Sequence, residues 1–260
     1  MEILEHKIAS ETRRTARIRA REHEIILDVS NGRLDVWARR FLEIEPELLD
    51  FLDALTPQDV YYDIGASIGH FAIYAAMRAG CTLAFEPEAQ NFATATFNHY
   101  LNAQKLENPL SILNIAVSDR NTLGRLNMTF YGAGEHTKSL DLTGGRQDGQ
   151  QAAPTRPVVY QQTVVEMTLD HLVGFYGTPL PTQMKIDVDG AEMAVLKGGQ
   201  KTLSSPGLRR VFIEFEQGEM SAQCRQILEG LGFALAQEFP VRRMSGGFYE
   251  GLTNCIFERK

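Results

Sequence analysis

The stretch VYYDIGASIGHFAIYAAM, Val60–Met77, decides the fold. An apolar and aromatic run leads into Asp63, glycines follow at Gly65 and Gly69, and a run of small apolar residues comes next. That pattern predicts a buried strand, a tight turn and a helix. Glycine at both ends of the turn removes side chains that would block close approach to its backbone. The N–H groups left free at the start of the helix favour an anionic ligand group.

Working outward, the chain from about residue 60 alternates strands and helices. CTLAFEP is a second strand stopped by Pro87, LSILNIAVSD a third, QMKIDVDG a fourth and LRRVFIEFE a fifth. Between them, HFAIYAAMRAG, AQNFATATFNHYLNAQKL and GAEMAVLKGGQKTL read as helices. The second of these has Ala93, Phe97, Tyr100 and Gln104 at helical spacing. AQCRQILEGLG is a further amphipathic helix, and FALAQEF and CIFER close the chain as an antiparallel pair. The expected fold class is α/β: a Rossmann-like, doubly wound, mostly parallel sheet with an antiparallel C-terminal strand pair. Such sheets bind ligands beyond the carboxyl ends of their strands.

Two regions break the alternation. Residues 1–58 form an N-terminal arm containing TRRTARIRAR and an amphipathic helix, EPELLDFLDAL. Residues 59–260 form the main domain, with an insertion at about 120–168. The insertion holds two extra strands around the polar tract GGRQDGQQAAPTRP, which reads as a mobile loop.

Composition narrows the function. The chain of 260 residues is 43% hydrophobic and carries a net charge of −7. It is therefore not built as a whole to attract nucleic acid, and none is expected as a partner. Three scattered cysteines suggest neither a disulfide framework nor a CxxC metal site. The first residues lack the apolar core of a signal peptide, and no apolar run is long enough to span a membrane. A cytoplasmic location is the expectation.

The turn itself, DIGASIG, is GxxxG with an acid two residues before it, which departs from the GxGxxG of dinucleotide sites. Glu86 ends the second strand, where a carboxylate can accept hydrogen bonds from both hydroxyls of a ribose. In order, YYDIGASIGHFAIYAA, LAFEPEAQNF, LNIAVSD, MTLDHL, KIDVDGAEMAVLKGG and VFIEFE resemble the successive motifs of the FkbM-type methyltransferases. These are a class I family dependent on S-adenosylmethionine. The resemblance covers about residues 45–216. It implies the class I methyltransferase fold and S-adenosylmethionine as cofactor. Asp63, Gly65, Ala66 and Gly69 would then cradle the methionine moiety, Glu86 the ribose, and Ala116 and Val117 the adenine. Asp187 would lie beside the methyl group. Two departures stand out: the family usually has Asn where this chain has Ser67, and Glu where it has Asp189.

Methyl transfer from a sulfonium needs an aligned acceptor, a dry site and, for a hydroxyl, a nearby base. Asp187 is the first choice at the reaction centre, followed by Asp189 and by His70, directly after Gly69. Asp187, Asp189 and Glu214, on strands four and five that should be neighbours, are also oxygen ligands of the kind Mg²⁺ takes. Strand-end acids are common without one, so no metal is assigned. His136 and Lys138, in the insertion, are potential acceptor contacts if that loop caps the acceptor site. The arginines of TRRTARIRAR either steer an anionic acceptor or form a solvated or paired face. The family resemblance points to O-methylation of a sugar or small-molecule natural product. Two alternatives are a nicotinamide-dependent oxidoreductase, which lacks GxGxxG and a Tyr-x-x-x-Lys pair, and a non-catalytic cofactor-binding module. Thermal stabilisation by S-adenosylhomocysteine but not by NAD separates the first from a methyltransferase.

Overall fold

Val60–Ile64 is buried on both faces because it lies inside a parallel sheet, hydrogen-bonded to a strand on either side. The computed structural model describes residues 1–8, 11–135, 138–141, 157–242 and 247–260. The chain opens with strands β1 (Glu2–Ile8), β2 (Glu11–Ala20) and β3 (His23–Asp28), then helices α1 (Gly32–Arg39), α2 (Phe41–Ile44) and α3 (Pro46–Asp53). There follow β4 (Val60–Ile64), α4 (His70–Ala76), β5 (Cys81–Phe85), α5 (Ala89–Asn102) and β6 (Leu110–Leu113). The next segment comprises β7 (Ala116–Val117), β8 (Thr122–Met128), β9 (Lys138–Leu140), β10 (Tyr160–Met167) and α6 (Leu169–Gly174). The chain then runs through β11 (Gln183–Ile186), α7 (Glu192–Gly198), α8 (Gln200–Leu203), β12 (Arg210–Glu216), α9 (Glu219–Gly230), β13 (Phe233–Arg242) and β14 (Phe248–Arg259).

The central sheet has the order β13-β14-β12-β11-β4-β5-β6. Its strands are parallel except β14, which runs antiparallel to both β12 and β13. The expected α/β sheet with its antiparallel C-terminal pair is thus present. Strand order reverses between β4 and β11, which opens a crevice at their carboxyl ends. Alternating side chains feed two cores. Tyr61, Ala84, Phe212 and Ile256 pack on one face of the sheet, and Tyr62, Ile64, Phe85, Met184 and Ile213 on the other.

The N-terminal segment is a three-stranded antiparallel sheet, order β1-β2-β3, followed by helices. Its Ala16, Ile18, Ile25 and Leu27 join α3 and α4 in the first core. The arginine run covers most of strand β2 and the residue after it; Arg13 pairs with Asp28, Arg17 with Glu2 and Glu24, and Arg21 with Asp50 and Asp53.

Helix α5 turns a largely polar face inward. Tyr100 is exposed, and the buried positions are Asn91, Thr94, Ala95, Asn98 and Asn102. The asparagines bond the arm's backbone: Asn98 Oδ1 accepts from Asp28 N at 2.7 Å, and Asn102 Oδ1 from Ile26 N at 2.9 Å. A polar face is buried here because the strand it meets offers unpaired peptide groups.

The predicted third strand is split. β6 belongs to the central sheet, whereas β7 joins β10, β8 and β9 in a separate four-stranded sheet. Asn114, at the break, donates to Glu86 O and Pro87 O, each at 2.9 Å. Most of the polar tract and His136 lie outside the described residues. No helix among the described residues is long and apolar enough to cross a membrane.

Candidate active site

The crevice at the carboxyl ends of β4, β5 and β11 is a cleft whose walls come from four places. The β4–α4 turn contributes Gly65 and Ser67, the end of β5 contributes Phe85, Glu86 and Pro87, and the segment after β11 contributes Asp187, Val188 and Asp189. The inserted sheet closes the far side with Ala116, Val117, Leu126, Lys138 and Leu140. The insertion therefore covers this cleft, with Lys138 as its anchor. Lys138 Nζ binds Glu88 Oε2 at 3.0 Å in a buried pair, and its backbone N–H donates to Asp189 Oδ2 at 3.3 Å.

The glycines of the turn answer to the protein's own packing. Gly65 has φ +86°, and a Cβ there would lie 1.7 Å from Asp187 O. Gly69 has φ +75°, and its Cβ would meet Ala95 Cβ at 2.9 Å. The turn's amides are likewise used internally. Those of Gly65 and Ala66 both donate to Phe85 O at 3.0 Å, that of Ser67 to Glu86 Oε2 at 2.8 Å, and that of Gly69 to Ala66 O at 2.8 Å. These bonds lock the turn against β5 ahead of the first amides of α4. Ser67 itself sits at φ +50°, and its Oγ is buried with no hydrogen-bond partner among the described residues. A buried, unsatisfied hydroxyl at a cleft wall marks a place for a ligand's polar group.

Glu86 lines the cleft. Each of its oxygens accepts one backbone N–H, Oε2 from Ser67 and Oε1 from Glu88 at 2.9 Å. A carboxylate oxygen has two lone-pair sites, so one acceptor position remains on each. Burial pushes this carboxyl up to about 7, against the pull of Lys138 and of the two amides.

Asp63 is set back from the cleft and only 1% exposed. Its Oδ1 takes Lys185 Nζ at 3.2 Å. The same ammonium reaches Asp187 Oδ2 at 3.2 Å and Gly65 O at 3.1 Å. Burial works against the charge on Lys185, but Asp63, Asp187 and Glu45 together hold it protonated and raise its pKa. Lys185 thus ties the end of β4, the glycine turn and Asp187 into one unit. Asp63 carries a raised pKa from burial, partly offset by Lys185.

The remaining predicted residues divide cleanly. Asp187, Asp189, Gly65, Glu86, Ala116 and Val117 all face the cleft. Ala66, Gly69 and His70 do not. His70, a candidate for the reaction centre in the sequence, is 3% exposed and stacked among Trp37, Phe41 and Phe71, with ring centroids at 5.0, 5.9 and 4.3 Å. Asp189 adopts φ +51° ahead of Gly190 and is exposed at the cleft's edge; desolvation within the cleft, then Asp187, raises its carboxyl's pKa. No group of three or more His, Cys, Asp or Glu among the described residues is arranged to hold a metal ion.

One neighbour went unread in the sequence. Glu45, from the arm, acts on Lys185 and Asp187. Glu214 of the adjoining strand β12, which the predicted strand order places beside Asp187, acts on Asp187 too. The isolated letter of Glu45 carries no local signal; only the packing of the arm brings it here.

A sheet of this strand order, with a glycine turn after its central strand and an acid ending the next, is that of the class I methyltransferases. The profile of the methyltransferase FkbM domain matches residues 63–235, and the chain belongs to that family. It is an S-adenosylmethionine-dependent methyltransferase, and the oxidoreductase and non-catalytic alternatives fall away. Among solved structures it is similar to the FkbM methyltransferase of Methylobacillus flagellatus KT, at 12% identity and a TM-score of 0.49 over 88% of this chain and 62% of that one. It is similar also to a precorrin-8w decarboxylase of Methanobacterium thermoautotrophicum, at 14% and 0.48 over 84% and 90%. A third is M. jannaschii TYW2 in complex with AdoMet, at 13% and 0.46 over 99% and 94%. No curated protein matches the sequence.

Proposed function

We propose that the protein transfers a methyl group from S-adenosylmethionine to a hydroxyl oxygen of a small molecule or sugar. The observation carrying this reading is the meeting of the cleft with the Asp187–Lys185–Asp63 group at its inner end. The cofactor supplies an electrophilic methyl on a sulfonium. The chain's residues then do the rest. Glu86 accepts from the ribose hydroxyls, and Ser67 Oγ takes a polar group of the cofactor. Phe85, Val117, Leu126 and Leu140 provide the apolar slot that an adenine needs. Asp187, fixed by Lys185, orients the acceptor hydroxyl, with Asp189 beside it. Gly65 serves by letting β11 approach, and Asp63 by holding Lys185, rather than by contact.

We read residues 1–58 as an arm that walls the acceptor side, and 59–260 as the methyltransferase domain with its insertion. A small acceptor rather than nucleic acid is favoured by the net charge of −7 and by the internal pairing of three of the five arginines in the arm's basic run. Three unpaired thiols favour a reducing, cytoplasmic compartment. The test is transfer of radiolabelled methyl to a panel of hydroxylated sugars and small molecules, with tRNA alongside. Glu86→Ala should lose cofactor binding, and Asp187→Ala should lose turnover with smaller damage to binding. Labelling of tRNA alone, or wild-type behaviour in either variant, overturns the corresponding assignment.

A further inference from the structure

Resting on the reading of Glu86 as the ribose acceptor, we propose that Gln162, on β10 of the inserted sheet, is a positioning residue for the cofactor. Gln162 does not line the cleft. It acts through the peptide that joins Pro87 to Glu88, and that peptide sets the aim of the Glu86 carboxylate.

One carboxylate serves two neighbouring hydroxyls only when its plane is fixed. The last torsion of a glutamate has no sharp preference of its own, so the plane must be set from outside. Two backbone donors set it here. Ser67 N, from the glycine turn, holds Oε2 at 2.8 Å, and Glu88 N holds Oε1 at 2.9 Å. With the first bond alone the group could swing about it; the second stops the swing and leaves the remaining lone pairs for a ligand.

The Glu88 N–H shares one planar unit with the Pro87 carbonyl. In a trans peptide these two groups point in opposite directions, so holding the oxygen aims the hydrogen. Pro87 offers no N–H, which makes its carbonyl the available handle. Two side chains hold that oxygen, Gln162 Nε2 at 2.8 Å and Asn114 Nδ2 at 2.9 Å. Gln162 also grips the next peptide, because its Oε1 accepts from Ala89 N at 3.0 Å. A single amide thus bonds the main chain on both sides of Glu88.

The hydrogen bonds run in series from Gln162 through the Pro87–Glu88 peptide to Glu86 Oε1, and such a series polarises each member. Gln162 is 75 positions from Pro87. It is carried there by β10, whose pairing with β8 extends over Tyr160–Glu166. Lys138 of the same sheet holds the Glu88 carboxylate from the other side, at 3.0 Å. The inserted sheet therefore does more than cover the cleft. It presents the acid that receives the ribose, so an altered insertion changes cofactor affinity without touching the cofactor.

The test compares S-adenosylhomocysteine with its analogue lacking both ribose hydroxyls, by titration calorimetry on the full chain. Displacement titration reads the analogue where direct titration is too weak. The ratio of the two affinities reports the ribose contacts, and the wild type should prefer the natural ligand. Gln162→Met has a similar volume and no donor. It should cut that preference about tenfold, matching the loss of one hydrogen bond to a charged group, with the analogue's affinity held at the wild-type level. Gln161→Met should leave the preference intact, because the Gln161 amide bonds Asn127 instead. Asn114→Ser removes the other donor to Pro87 O and should lower the preference in the same direction; it decides the matter if thermal unfolding shows Gln162→Met to be misfolded. Equal weakening of both ligands makes Gln162 a structural clamp only and overturns the proposal, as does a preference that Gln162→Met leaves at the wild-type level. A wild type with no preference overturns the ribose role of Glu86 itself, and failure to bind either ligand overturns the cofactor site, so the two readings fail separately.

Discussion

Replacing Lys185 with methionine tests the strut beneath the active site. Lys185 and Asp63 are 4% and 1% exposed, and the ammonium is shared with Asp187 and Gly65 O. Methionine fills much of the volume, so the main consequence is an uncompensated buried carboxylate at Asp63. Breaking a buried pair in this way costs about 3–5 kcal/mol. At about 2 °C per kcal/mol for a chain of this size, the melting temperature should fall by roughly 6–10 °C. The loss should depend on pH with a definite sign. Burial already raises the Asp63 pKa, and Lys185 opposes that. Without the lysine the folded-state value rises further above the unfolded one. The folded state then holds a proton that the unfolded state has released, and stability falls as pH rises, by about 1.4 kcal/mol per pH unit between the two values. Urea denaturation of both proteins at pH 5 and pH 7.5 should show the gap between them widening at the higher pH. A gap under 1 kcal/mol at pH 7.5, or one that stays constant, would refute the assignment of Lys185 as the counter-charge of Asp63.

Three further outcomes follow from the same geometry. Gly65→Ala places a methyl 1.7 Å from Asp187 O at φ +86°; it should destabilise the fold by more than the ~1–2 kcal/mol of left-handed backbone alone, and a variant of wild-type stability by urea titration would contradict this. Glu86 titrates near 7, and its ionised form is the better acceptor for ribose hydroxyls. Affinity for S-adenosylhomocysteine should therefore drop as pH falls below 7, up to about tenfold per unit, in calorimetry from pH 8 to 5.5; an affinity that rises on acidification would exclude the ribose role. Trp37 donates to Gly134 O at 3.1 Å, and that carbonyl also takes Arg33 Nε at 3.2 Å. Trp37→Phe should thus cost only about 1 kcal/mol and Trp37→Ala about 3–5 kcal/mol, measured by thermal unfolding; equal losses would argue against the packing role.

Much of this protein is local in the chain, and that part was legible. The run into Asp63, the paired glycines and Glu86 before Pro87 are each a short pattern. A buried strand, a positive-φ turn and a strand-end acid constrain only their own few residues. The order of such patterns was enough for the sheet and the family. The glycines' reason was not legible, because the atoms they make room for, Asp187 O and Ala95 Cβ, belong to distant segments.

The rest depends on which surfaces meet. Periodicity says that α5 has two faces, not which one looks inward; the unpaired backbone of β3 drew the asparagine side in and left Tyr100 in water. Lys185 reads as any strand lysine until β11 is laid beside β4, joining it to a residue 122 positions away. Glu45 is one acid among the 33 Asp and Glu of the chain. Only the seating of α2 and α3 between the glycine turn and β14 brings its charge to bear on Lys185. Side-chain character is written along the chain, but the electrostatic environment that gives a carboxyl its chemistry comes from burial and from neighbours that folding alone assembles.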